Sequence, residues 1–206
     1  MGWWAERAVP HIVNVACNAP DVRARRPHLC EGLHGDVVEI GFGSGLNLPH
    51  LPDDVTGIWA VEPSQIGRKL ARERLDATHV PVEFAGLDGQ RLALPDARFD
   101  AALSSFTLCT IPDGAAALRE LVRVLKPGGT FHFIEHGRSP DPRVARWQKR
   151  LDPLQRRLFA GCHVSRPIKD MIEDAGFAIE RLENSYMGWP KAAGYLYEGV
   201  ARAPSS

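Results

Sequence analysis

Long apolar runs are missing from this 206-residue chain, and the longest, Ile58 to Val61 and Ala115 to Leu118, are four residues each. A membrane-crossing helix needs roughly 20, so no transmembrane segment is expected. The first residues, MGWWAERAVP, hold no basic flank leading into an apolar stretch, and Glu6 breaks a myristoylation pattern. Neither a secretory signal nor a lipid anchor is therefore read there. Net charge is missing too: 25 Lys plus Arg offset 25 Asp plus Glu. That balance leaves no electrostatic footprint for nucleic acid. Cysteine is scarce: Cys17, Cys30, Cys109 and Cys162 lie scattered, with no C-x-x-C pair. Neither a zinc site nor a disulfide framework is legible, no metal is expected, and the expected setting is a reducing cytoplasm.

What is present is an ordinary globular composition, 44% hydrophobic and 24% charged, enough for about one domain with a sizeable core. Short apolar segments rich in β-branched and aromatic residues recur at 37–40, 57–61, 82–85, 99–103 and 130–134, and they read as buried strands. Between them lie helical stretches. Ser64 can cap one carrying Ile66, Leu70 and Leu75; Asp113 can cap another carrying Leu118, Leu121, Val122 and Leu125, with Gly128 as its stop. A further helix is expected near Val144 to Leu151, and one capped by Ser165 with Pro167 in its first turn and Gly176 at its end. Strands over 177–182 and 195–201 have no room for a crossover helix between them and should pair antiparallel. The expected architecture is a doubly wound, Rossmann-like α/β fold: a seven-stranded, mostly parallel sheet with an antiparallel edge pair and helices on both faces. Residues 1–35, with Trp3, Trp4, Val9, Ile12 and Val13, read as a helical cap on a domain spanning 36–206. Within that domain, 138–165 reads as a substrate-side insertion.

The segment 37–46, VVEIGFGSGL, runs from a buried strand into Gly41, Gly43 and Gly45. Such a turn lets the backbone approach a ligand at the carboxyl end of the first strand. A dinucleotide fingerprint would need glycine or alanine where Leu46 stands, and a Walker lysine is absent as well. Glu39, just before the turn, disfavours a pyrophosphate and favours a cationic group. Glu62 follows Gly41 at the distance from which an acid reaches ribose hydroxyls. A ligand with a ribose and a positive end is S-adenosylmethionine, whose carboxylate suits the amides between Ser44 and Asn47. Asp88, past the third strand, can accept from an adenine amino group.

These motifs resemble the class I S-adenosylmethionine-dependent methyltransferases. The likeness runs from about Asp36 to Phe133. It rests on the E-x-G-x-G-x-G turn, the acid ending strand two, the Asp88 region, the P-D-x-x-F-D entry to strand four and the L-K-P-G-G turn. Leu87-Asp88-Gly89 stands where the family usually has Gly-Asp-Ala, and Phe42 where it often has a small residue or cysteine. The resemblance implies a cofactor site built from Glu39, Gly41, Phe42, Gly43, Gly45, Asn47, Glu62, Pro63, Asp88, Gly89 and Ser105. Ser105 to Cys109, Glu135-His136 and Gly161-Cys162-His163 look like the small thiol-methyltransferase-like proteins and their bacterial relatives. No N-terminal membrane anchor of the kind some of those carry is read here.

The implied reaction moves a methyl group to a small, hydrophobic acceptor (a thiol, a phenol or quinone, or an amine) by a monomer or homodimer. His136 is the first candidate for a general base. The acceptor pocket is expected between the N-terminal cap and residues 137–163, lined by Trp3, Trp4, Trp147, Phe159, Met187 and Trp189. Locally, 138–157 carries six Arg and one Lys against Asp141 and Asp152. Three alternatives stay open: an NAD(P)-dependent oxidoreductase, a non-catalytic binding module, and a phospholipid or quinone methyltransferase working at a membrane surface.

Overall fold

The computed structural model describes residues 7–158, 161–188 and 194–205; Trp3, Trp4, Phe159 and Trp189 lie outside them. Seven strands form one sheet: β1 (Gly35–Ile40), β2 (Val55–Val61), β3 (Val82–Gly86), β4 (Phe99–Ser105), β5 (Leu125–His136), β6 (Ala178–Tyr186) and β7 (Tyr195–Arg202). Their order is β3-β2-β1-β4-β5-β7-β6. The first five run parallel, whereas β7 lies antiparallel to both β5 and β6. The expected doubly wound sheet with its antiparallel edge pair is thus observed. The direction of winding reverses between β1 and β4, so a crevice opens outside their carboxyl ends, where open α/β sheets bind ligands.

Helices among the described residues are α1 (Val9–Cys17), α2 (Pro20–Arg23), α3 (Arg26–Cys30), α4 (Gln65–Leu70), α5 (Arg72–Ala77), α6 (Gly114–Val124), α7 (Pro142–Leu158) and α8 (Ile168–Asp174). Strand alternation divides the core into two layers. Val38 and Ile40 pack with Phe131, Phe133, Leu118 of α6 and Ile172 of α8. Val37 packs on the opposite face with Leu103, Ile134, Leu29 of α3 and Leu33. Period two sends Glu39 to the Val37 face, beneath the N-terminal helices.

Two expected caps are in place: Ser64 Oγ accepts from Gly67 N at 3.0 Å and Asp113 Oδ1 from Ala116 N at 2.9 Å. Other details differ. The helix after Ser64 is interrupted at Ala71. Helix α6 ends at Val124 and passes directly into β5, so Gly128, at φ +73°, turns the start of that strand instead of stopping the helix. Helix α7 extends well beyond the expected 144–151 and carries Pro153 inside it. Asp141 Oδ1 accepts from Arg143 N at 2.8 Å, which starts it earlier. Ser165 does not cap α8; its hydroxyl donates to Asp152 Oδ1 at 3.0 Å, and Pro167 holds the N-cap position.

Candidate active site

The turn after β1 owes its shape to three glycines in the left-handed region, Gly41 (φ +69°), Gly43 (+58°) and Gly45 (+70°). A side chain at Gly41 would overlap the Thr107 side chain, so the turn also fits closely against the loop following β4. Phe42 stands inside the turn, but its ring is buried in the N-terminal-side core, edge-on to Phe84 with centroids 5.6 Å apart. It offers the crevice backbone and no side chain.

Glu39 is fully buried under this turn. Its Oε1 accepts from Asn47 Nδ2 at 2.7 Å, and Asn47 Nδ2 also donates to Ser105 Oγ at 2.8 Å. Arg26 of α3 donates to Asn47 Oδ1 and, at 2.8 Å, to the carbonyl of Cys17. Burial pushes the Glu39 carboxyl up to about 8, against the lowering pull of Asn47 and Arg26. Its second oxygen, Oε2, is buried with no hydrogen-bond partner. A buried acceptor left empty is costly, and the cationic end of an amino-acid ligand would fill it. The N-terminal helices complete this face: Ser44 Oγ donates to Asn14 Oδ1 of α1 at 2.6 Å. Neither Arg26 nor Asn14 carries a local sequence signal, because each gains its role only when its helix packs over the sheet.

Glu62 closes the other side of the turn. Its two carboxyl oxygens accept from Gly43 N and Ser64 N, each at 2.6 Å. A carboxylate offers about four lone-pair sites, so about two remain for ribose hydroxyls. Burial raises its pKa, opposed by those two amide bonds and by Arg68. Pro63 is exposed at the rim. Asp88 is exposed as well, with Oδ1 accepting from Gln90 N and Gln90 Nε2 at 2.9 Å, bonds that hold its carboxyl below the usual range. Gly89 is buried against Ile111 and Ile40, where a larger residue would be crowded.

The acceptor side departs further from expectation. Glu135 does not face the crevice: it is buried, accepting at Oε1 from Ser104 Oγ, Thr107 N and Leu108 N and at Oε2 from Cys109 N, all at 2.7 to 3.0 Å. It fixes the loop after β4. In that loop Phe106 adopts φ +55°, an unusual conformation for an aromatic residue, and its ring lies 4.9 Å from that of His136. His136 Nδ1 stands 4.0 Å from Cys109 Sγ and 3.8 Å from Cys162 Sγ, and the two sulfurs are 3.6 Å apart. The expected aromatic pocket is not assembled by its described members. Trp147 projects from α7, 57% exposed among Arg143, Arg146 and Arg150, while Met187 packs against the N-terminal-side core.

Residues 38–133 match the family model described as a methyltransferase domain. The chain is 31% identical over 151 residues to the thiol S-methyltransferase TMT1B of Rattus norvegicus, covering 71% of this chain but only 62% of that protein's length. It is 28% identical over 150 residues to a phosphatidylethanolamine N-methyltransferase of Cereibacter sphaeroides, covering 72% and 67% of the two. Among solved structures, a SAM-dependent methyltransferase from Aquifex aeolicus shares the fold at a TM-score of 0.65 and 20% identity, over 94% of this chain and 97% of that one. The glycine turn, its two flanking carboxylates and these likenesses agree: residues 38–133 match a methyltransferase domain, set in a fold shared with S-adenosylmethionine-dependent methyltransferases.

Proposed function

We propose that this protein methylates a small, hydrophobic acceptor, with thiols as the first class, and that it takes the methyl group from S-adenosylmethionine. The observation that carries the reading is the unpartnered Glu39 Oε2 beneath a left-handed glycine turn whose opposite side is Glu62. Glu39 would hold the cationic amino-acid end, Glu62 the ribose, and Asp88 the adenine amino group, while Gly41, Gly43 and Gly45 keep side chains out of the way. Bound S-adenosylmethionine supplies an already activated methyl group, so the chain's own contribution is to hold the acceptor in line, an effect that can reach roughly 7 to 11 kcal/mol. Similarity to a thiol S-methyltransferase puts thiols first. An acceptor that arrives protonated needs a base; His136 is the candidate, acting through Nε2, since Nδ1 faces the two cysteine sulfurs.

A nicotinamide reading is disfavoured by a buried carboxyl under the turn, where a pyrophosphate would sit. A lipid amine as acceptor is the second reading. It is favoured by Trp147 and Leu154, 57% and 56% exposed on the arginine-bearing α7, and by the likeness to a phosphatidylethanolamine N-methyltransferase. No helix among the described residues is long and apolar enough to cross a membrane.

The test is a thermal-shift titration with S-adenosylmethionine, S-adenosylhomocysteine and NADH, followed by a screen for S-adenosylhomocysteine release with thiols, a quinol and lipid vesicles. At about 100 times the dissociation constant the expected stabilisation is about 2.7 kcal/mol for the two sulfur ligands, abolished by Glu62→Ala. A shift with NADH alone overturns the cofactor assignment. Turnover of lipid amine without thiol turnover moves the protein to the second reading.

A further inference from the structure

Cys109, His136 and Cys162 come from three separate parts of the chain and converge at the carboxyl edge of the sheet. Cys109 lies in the loop after β4, His136 ends β5, and Cys162 follows α7. Their ligand atoms form a nearly equilateral triangle with edges of 3.6, 3.8 and 4.0 Å. A tetrahedral zinc ion, with Zn–S of about 2.3 Å and Zn–N of about 2.0 to 2.1 Å, sets its ligands about 3.8 Å apart for sulfur to sulfur and about 3.6 Å for sulfur to nitrogen. The observed triangle matches one face of that tetrahedron to within half an ångström.

We propose that Cys109, His136 and Cys162 bind a thiophilic metal ion, Zn(II), as a three-ligand site with its fourth position open. Two thiolates and an imidazole suit that ion, and three protein ligands are the number that leaves a coordination position for water or an exogenous thiolate. The surroundings hold the ligands in place as an outer shell does. Glu135 Oε2 accepts from Cys109 N at 3.0 Å, and His163 N donates to the Cys109 carbonyl at 2.7 Å. Asp152 anchors the Cys162 segment through His163 Nδ1 and Ser165 Oγ, both at 3.0 Å. Both cysteines are almost entirely buried, at 1% and 6% exposure, while His136 is half-buried and reaches the surface. No step of methyl transfer uses either cysteine, but His136 is shared: with Nδ1 on a metal ion its Nε2 keeps the ring proton. The loaded site and the base role of His136 therefore exclude one another, while binding of the ion itself is read without any turnover.

The experiment titrates Co(II), a zinc stand-in with a visible spectrum, into the full chain after anaerobic reduction and confirmation that all four cysteines are free. The expected result is one ion per chain, with a thiolate-to-cobalt charge-transfer band and intense tetrahedral ligand-field bands that Zn(II) bleaches and Mg(II) does not. Cys162→Ala and His136→Gln should each weaken binding about tenfold or more, whereas Cys30→Ala, in the core away from the cluster, leaves it unchanged. Cys162 and His136 lie at the edge of the fold, so their variants remain usable should Cys109→Ala fail to fold. Absence of the charge-transfer band in reduced protein overturns the proposal. So does a band that survives Cys162→Ala. A Cys109–Cys162 disulfide in protein that binds no cobalt when reduced assigns the pair to thiol oxidation and overturns it as well.

Discussion

Burial sets the Glu39 carboxyl against its surroundings. Its pKa is about 8 in the folded chain against 4.5 ordinarily, so its ionised form is disfavoured by folding and stability falls as the pH rises from 4.5 to 8. Glu39→Gln keeps the Asn47 contact and removes the charge. At pH 8 it should melt higher than the wild type yet bind S-adenosylhomocysteine about tenfold or more weakly, the charge-assisted contact being lost. Calorimetry at two pH values reads both effects. A variant that binds as tightly as the wild type would detach Glu39 from the cofactor. Gly41 is constrained twice, by φ +69° and by the Thr107 side chain. Gly41→Ala should lower the urea unfolding free energy by about 2 kcal/mol or more, the left-handed conformation alone costing about 1 to 2. Both residues were legible in the sequence because strand, acid and glycines are neighbours along the chain. Asp88 lies just past β3 with its carboxyl exposed, as its position in the sequence implies.

Elements, more than single residues, decide the acceptor side. In the loop after β4, one buried carboxylate, Glu135, accepts three backbone amides along with the Ser104 hydroxyl. Glu135→Ala should leave these donors unsatisfied and destabilise the protein by about 3 kcal/mol or more. Glu135→Gln should cost less, since its carbonyl can still accept where Oε1 does. Hydrogen exchange reads the difference directly, as faster exchange at Thr107, Leu108 and Cys109. Unchanged exchange in the alanine variant would show that the loop holds itself. In the sequence, Glu135 and His136 appear as one motif at the end of a strand. Strand alternation separates them, turning the glutamate into the core and leaving the histidine half-buried beside Phe106.

At the scale of the whole molecule, the N-terminal helices are joined to the sheet by buried polar contacts. His132, on β5, approaches the Leu29 carbonyl through Nδ1 at 2.9 Å, and burial pushes its pKa down to about 4 from 6.5. Between pH 6.5 and 4 the unfolded chain binds a proton that the folded chain does not. Stability should therefore fall as the pH drops through that window, by about 3 kcal/mol in total, and level off below it. His132→Asn keeps a donor for Leu29 and should flatten that part of the profile, which urea unfolding across the window would show. Leu29 and Leu33 are buried in the same core layer as Val37 and Ile58, so residues 9–33 pack as part of the sheet's covering.

The sequence by itself determined the strands, the glycine turn, the two carboxylates flanking it and hence the methyltransferase likeness, because each signal lies within a few residues or one strand–turn–strand unit. The tertiary structure alone decided that Arg26 and Asn14 reach the turn, and that Trp147 stands outward. It alone also decided that Cys109, His136 and Cys162, separated by 26 to 53 residues, meet within 4.0 Å. Those contacts join distant segments, and their geometry follows from which helix packs on which face of the sheet, which no local spacing encodes.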